Sequence, residues 1–246
     1  MTEQISQKDL KRIGLDKEFI PEKTDNKSSE MKQEEKLMEG IGVWISYFRA
    51  NPHRFVSEYL MLKPFSWFQK ILLFMMFKNN YFMWWASRGL GKTHLTALYC
   101  VVRCILYPET QICIASGIKA QALQVISEKI MDFKTKCPNI ALEISDFRPN
   151  MQDARVDFHN GSWIKVVAAN DNARSARANV IIVDEFRMVN EDIIRTVLRK
   201  FLTASRRPKF VDKVLPDGSM PYGFYEEPNT EIYLSSAWLF NCCASK

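Results

Sequence analysis

Tyr81–Thr93, YFMWWASRGLGKT, is the stretch that decides the fold. Tyr81–Ala86 is short, apolar and aromatic, as a buried strand is. It runs directly into a glycine-bearing turn, Ser87-Arg88-Gly89-Leu90-Gly91-Lys92-Thr93, and His94–Leu106 beyond has helical spacing. Strand, glycine loop, helix is the arrangement that a phosphate-binding loop requires. Gly91 lets backbone N–H groups approach phosphate oxygens where a side chain would obstruct them. The following helix points its unpaired N–H groups and partial positive charge at the same place. Lys92 supplies a mobile charge for the β- and γ-phosphates, and the Thr93 hydroxyl is a ligand for Mg²⁺. The pattern GxxxxGK(S/T) is departed from at its first position, where Ala86 stands in place of glycine.

Downstream, Gln111–Ala115 reads as a second strand and Ala120–Lys136 as a helix. Ala154–Phe158 and Ser162–Ala168 alternate around Asn160-Gly161, a strong hairpin signal. Val180–Val183 is a fully apolar strand ending in Asp184-Glu185. A helix is expected over Glu191–Leu202, a proline- and glycine-rich loop over Arg206–Pro228, and a strand over Glu231–Ser235. Strands alternating with helices imply a mostly parallel sheet with helices on both faces.

A metal ion bridging phosphates needs a fixed carboxylate opposite the loop hydroxyl, and the end of a buried strand holds one rigidly. Asp184 fits that place. Glu185 beside it is positioned to orient or deprotonate an attacking water. An ordinary strand end capped by acids is the bland alternative; the pairing with the phosphate loop argues against it.

Upstream, residues 1–40 are polar and charged with little apolar periodicity, the composition of an arm or loosely packed helices. Ile45, Phe48, Phe55 and Tyr59 suggest helix around a break at Pro52. The N-terminus is too charged for a signal peptide. The apolar run Ile71–Phe77 is too short to span a bilayer, so no membrane partner is expected. The six cysteines and three histidines lack zinc-ligand spacing, and Cys100 and Cys104 read as reduced core residues. Trp84 and Trp85 are both expected in the core. The formal net charge of +6 is compatible with a nucleic-acid partner without requiring one. Arg206, Arg207, Lys209 and Lys213 form a basic loop that fits either DNA phosphates or simple solvation.

Four of these stretches, in this order, resemble the ATPase motor of the large terminase subunit of tailed bacteriophages. Trp67-Phe68-Gln69 is similar to its adenine-reading glutamine motif. Ser87–Thr93 resembles its variant phosphate loop with an internal arginine. Val180–Phe186 (VIIVDEF) resembles its acidic strand, and Tyr233–Trp238 (YLSSAW) its coupling motif. The resemblance implies ATP as substrate and Mg²⁺ as cofactor. It places Gln69 on the adenine edge and Ser87–Thr93 on the phosphates. Thr93 and Asp184 fall on the metal and Glu185 on the attacking water. Ser235, Ser236 and Ala237 become the relay to the DNA-gripping parts. Arg88 would act within the subunit. Arg174 would act as an arginine finger toward a neighbouring subunit, with Arg177 as the fallback.

The fold implied is an α/β P-loop NTPase of the ASCE, RecA-like type, with one strand between the P-loop strand and the acidic strand. Residues 1–60 would form an arm and helical lid, and residues 61–246 the ATPase domain, without the nuclease domain usual in such subunits. The expected function is ATP-driven translocation of double-stranded DNA into a procapsid, in the cytoplasm of the infected bacterial host. Portal protein and small terminase subunit are the expected protein partners. A ring of identical subunits is expected on the capsid, with a monomer considered for the isolated chain. A helicase-like translocase and a nucleotide-binding assembly module with little turnover are the rivals.

Overall fold

The computed structural model describes residues 29–62, 66–87, 89–170, 177–203, 205–206 and 228–236. Met1–Glu39 and Gly40–Lys246 form separate compact units. Of the first, the structure describes the opening turns of helix α1 (Ser29–Ala50).

The second unit is built on a seven-stranded sheet of order β1-β7-β6-β2-β5-β4-β3. Its strands are β1 (Tyr81–Ala86), β2 (Gln111–Ser116), β3 (Ile144–Pro149), β4 (Ala154–Phe158), β5 (Trp163–Ala168), β6 (Val180–Asp184) and β7 (Thr230–Ser236). The first five in spatial order are parallel, and β4 and β3 add an antiparallel edge. One strand, β7, lies between the P-loop strand and the acidic strand, as expected.

Period-two side-chain alternation sorts the strands onto two faces. Ile112, Ile114, Ile182, Ile232 and Leu234 join one core with the helix after the glycine turn, α4 (Lys92–Leu106). Cys113, Ala115, Ile181, Val183 and Tyr233 join a second core with Val197, Leu198 and Phe201. Those last residues belong to a helical segment expected over Glu191–Leu202. It comes in three pieces: Glu191–Ile193, a π-helical turn Ile194–Leu198 and a 3₁₀ stretch Arg199–Thr203. The helix expected over Ala120–Lys136 likewise contains a π-helical turn, Val125–Ile130.

Pro52 opens a new helix, α2 (Pro52–Arg54), with Asn51 as its N-cap. Phe48, Phe55, Val56 and Leu60 lie in the α4-side core. Arg49 Nε donates to the Leu106 carbonyl, at the end of α4 away from the phosphate loop, at 2.8 Å. Residues 40–60, grouped with the lid in the sequence reading, thus pack into the body of the second unit. Helix α3 (Trp67–Lys78) starts at a capping box, in which Ser66 and Gln69 satisfy each other's backbone N–H groups.

The Asn160-Gly161 hairpin forms, closed by Phe158 N–H donating to the Ser162 carbonyl at 2.9 Å. Strand β3 and the helix before it, Pro138–Glu143, were not expected. Trp84 is buried at 8 % exposure, whereas Trp85 is 58 % exposed, which corrects the expectation that both are core. The reason is position: β1 is an edge strand, and its Tyr81, Met83 and Trp85 face is covered only in part, by Tyr233 beside Tyr81 and Phe186 beside Trp85. Cys100, Cys104, Cys113 and Cys137 are buried free thiols, and burial holds Cys113 up at about 12.

Candidate active site

Parallel strands end together, so the residues following them meet along one edge of the sheet. Here Ala86, Ser236, Asp184 and Ser116 close β1, β7, β6 and β2, all on the α4 side by strand parity. The phosphate turn leaves β1 at that edge and re-enters the fold as α4. Gly91 caps this helix with φ +79, in the left-handed region. That φ favours glycine, and a Cβ on Gly91 would also press on Gln69 Nε2 at 3.0 Å, which places the Gln69 carboxamide against the turn. Gln69 is therefore held at the turn, with its Oε1 accepting the Ser66 N–H at 3.3 Å.

Lys92 and the acidic pair, far apart in sequence, meet here. Lys92 Nζ donates to Ser236 Oγ at 3.0 Å and lies 3.4 Å from the Ala86 carbonyl oxygen. Ser236 Oγ in turn donates to Glu185 Oε1. Glu185 Oε2 accepts the Ser236 N–H at 2.9 Å and the Ser235 hydroxyl at 3.2 Å. Glu185 reaches β7 because its backbone is left-handed, φ +48 and ψ +48. Such a conformation is uncommon for a residue with a side chain and costs about 1–3 kcal/mol. It turns the chain out of β6 and swings the carboxylate across the end of β7.

The two acids are driven in opposite directions. Burial pushes the Asp184 carboxyl above its usual range and the Glu185 charge adds to this, against the opposing Glu185 N–H and Lys92. Burial acts the same way on Glu185. There the donors of Ser236, the Lys92 charge and Ser235 outweigh it and hold the carboxyl below its usual range. Glu185 is thus the settled anion. Asp184 is the carboxylate whose charge lacks compensation, as a cation-binding carboxylate would be.

Thr93 opens α4 beside Lys92, and Ser87, Gly89 and Leu90 line the exposed turn. Arg88, Arg174 and Ala237 lie outside the described residues, and Arg177 is exposed. Most of the basic loop also lies outside. Its first member, Arg206, donates to the Pro108 carbonyl at 3.1 Å and packs over the Tyr107 ring. The sequence did not reveal the direct Lys92–Ser236 contact, nor Ser116 as a neighbour of Asp184. A hydroxyl ending an apolar strand (QICIAS) was the only available signal.

Residues 83–220, more than half of the chain, match the family model described as "Terminase large subunit, T4likevirus-type, N-terminal". The chain belongs to this family. No curated protein matches it in sequence. Among solved structures, the large terminase of bacteriophage HK97 matches with a TM-score of 0.52 at 15 % identity. That match covers 70 % of this chain and 33 % of that one. The large terminase ATPase domain of Thermus phage P74-26 matches at 0.47 and 13 % identity, covering 74 % and 84 %. The large terminase of another thermophilic bacteriophage, in complex with ATP-gamma-S, matches at 0.47 and 12 % identity, covering 70 % and 38 %. The present chain therefore spans a third of the HK97 protein's length. Together the sheet order, the family match and the HK97 likeness establish a P-loop NTPase fold of the ASCE type, the terminase large-subunit N-terminal domain.

Proposed function

We propose that this terminase domain hydrolyses ATP and that the hydrolysis drives double-stranded DNA into a procapsid. The observation that carries this reading is the chain of contacts Lys92–Ser236–Glu185 beside Asp184, at the mouth of a glycine turn. It gathers a cation, an anionic base and a second carboxylate where a triphosphate and its metal would lie.

The residues present fit Mg²⁺. Asp184 is a largely buried carboxylate short of compensating charge. Ser116 Oγ, on the neighbouring strand, is buried without a hydrogen-bond partner among the described residues. Thr93 supplies the hydroxyl on the loop side. The ion's contribution when bound is to neutralise charge on the β- and γ-phosphates. The chain's own residues do the rest. The backbone of Ser87–Thr93 cradles the phosphates, with Gly91 keeping the approach open. Lys92 has three protons; with two directed at Ser236 and Ala86, the third is available to a γ-phosphate oxygen. Glu185 accepts hydrogen bonds as an anion and can take one from an attacking water, orienting it and accepting its proton. Gln69, at the turn, offers its carboxamide to the adenine edge. Ser235 and Ser236 tie the base to β7, and together with Ala237 they would report the nucleotide's state to DNA-gripping parts.

The wider setting is part of the same reading. Identical subunits form a ring on the capsid, docked on portal protein and supplied with DNA by the small terminase subunit, in the cytoplasm of the infected cell. Arg174 of one subunit completes the next site as an arginine finger, while Arg88 serves its own. A lone subunit then turns over slowly. The test is ATP turnover with and without double-stranded DNA, wild type beside Glu185→Gln. Wild type should hydrolyse ATP. The variant should lose roughly 10²–10⁴-fold while still binding the nucleotide. A wild type inert under both conditions, or a fully active Glu185→Gln, would overturn the reading.

A further inference from the structure

Ser116 is the last residue of β2, and its Cα is in register with that of Asp184 on β6. Residues in register on adjacent parallel strands point the same way. Ser116 follows the parity of Ile112 and Ile114, Asp184 that of Ile182, and all three isoleucines lie in the α4-side core. The two side chains therefore stand abreast on the phosphate-loop face. Neighbouring strands are about 4.8 Å apart, within reach of a hydroxyl-to-carboxylate hydrogen bond.

The hydroxyl is unusual in its surroundings. Ser116 is fully buried, at 0 % exposure. Its Oγ is the only hydroxyl among the described residues that is buried without a hydrogen-bond partner. Other buried hydroxyls are engaged: Thr110 donates to the Tyr107 carbonyl at 2.6 Å and Thr96 to the Lys92 carbonyl at 2.9 Å. The Ser116 backbone is fixed from both sides. Its carbonyl accepts the Ala169 N–H at 3.0 Å. A Cβ on the next residue, Gly117, would meet the Met188 carbonyl oxygen at 3.2 Å, so the loop after β2 lies tight against the turn following Glu185. Asp184 Oδ1 already accepts the Glu185 N–H at 3.1 Å. A buried hydroxyl without a partner is destabilising, and alanine would serve the packing better.

We propose that Ser116 is a positioning residue of the metal site, its hydroxyl, without a partner here, turning to donate to the Asp184 carboxylate when that carboxylate holds the ion. This rests on the reading of Asp184 as the metal carboxylate. The role is of a kind whose loss weakens metal binding by about 10–100-fold.

The experiment measures Mn²⁺ binding by electron paramagnetic resonance on the ADP-saturated chain, for wild type, Ser116→Ala and Asp184→Asn. Nucleotide affinity in excess chelator and the thermal midpoint are measured alongside. Ser116→Ala should bind Mn²⁺ about 10–100-fold more weakly. In excess chelator its nucleotide affinity should be unchanged and its thermal midpoint higher than that of wild type. Wild-type Mn²⁺ affinity in Ser116→Ala, with loss in Asp184→Asn, would overturn the Ser116 role and leave the active-site reading standing. Wild-type affinity in both variants would overturn the metal assignment itself. A lower thermal midpoint with unchanged Mn²⁺ affinity would make the hydroxyl a structural one and sink the proposal.

Discussion

Two regions of the sheet gather charged side chains, and they do so in opposite ways. At the antiparallel edge, Arg148 pairs with Asp153 at 2.6 Å and with Asp157 at 2.8 Å, and Arg155 pairs with Asp157 at 2.6 Å. Every acid there touches a guanidinium, Arg148 serving Asp146, Asp153 and Asp157 and Arg155 adding to Asp157, and Arg148 and Asp153 remain 40 % and 48 % exposed. At the parallel strand ends, two acids face the single cation Lys92 among the described residues, and hydroxyls and backbone N–H groups make up the difference. The hairpin's charges are spent on one another near the surface, where solvent screens such pairs. The strand-end charges are half-buried and unequal, held by a strained backbone at Glu185. The lesson is that a cluster of opposite charges marks a site only where the local pairing is incomplete and the geometry is held against its own cost.

That contrast can be broken by substitution. The largest loss of turnover is expected from Glu185→Gln, as given above. Next comes Ser236→Ala. It removes the one hydroxyl that touches both Lys92 and Glu185. A hydrogen bond to a charged group is worth about 1.5–3 kcal/mol, and about 1.4 kcal/mol is tenfold in rate. Turnover at saturating ATP should fall roughly tenfold or more, with the Michaelis constant little changed and Ser236→Thr restoring activity. A fall in affinity with an intact maximal rate would instead make Ser236 a binding residue.

The smallest effect belongs to the hairpin. Burial alone would raise the Asp157 carboxyl, but hydrogen bonds from Arg155 and Arg148 outweigh it and hold it below its usual range. A folded-state value below the unfolded one stabilises the protein above the unfolded value. The gain is lost as pH falls through the folded value. Acid titration of thermal stability should therefore show a small loss at the low-pH end that Asp157→Asn removes, with ATP turnover unaffected at neutral pH. An effect of Asp157→Asn on turnover would erase the distinction between the two regions.

Much of this was legible in the sequence, for physical reasons. Strands β2, β6 and β7 are short apolar runs between turns, because a parallel sheet covered on both faces demands it; β1 is as apolar although one of its faces is largely open. Lys92, Asp184 and Glu185 were legible because strand–glycine–helix and strand–acid patterns each have few structural solutions. Strand β3 was not. ISDFRP is mostly polar and ends in Pro149, which only an edge strand tolerates, so it lacks the apolar alternation that announces a strand. Trp85 was misplaced because alternation fixes which face a side chain takes, while the cover on that face depends on the rest of the chain. Ser116 and the Lys92–Ser236 contact were hidden because register between distant strands is a tertiary fact.

The most direct test of the convergent site is the equilibrium dissociation constant for Mg-ATP, measured on Lys92→Ala beside Arg148→Ala. Each variant removes one cation from one of the two charged regions. Lys92→Ala should weaken binding by roughly 100-fold, as loss of a buried charge-assisted contact would, while Arg148→Ala binds as wild type does. Equal affinities in the two variants would contradict the account, because no triphosphate would then lie at the strand ends.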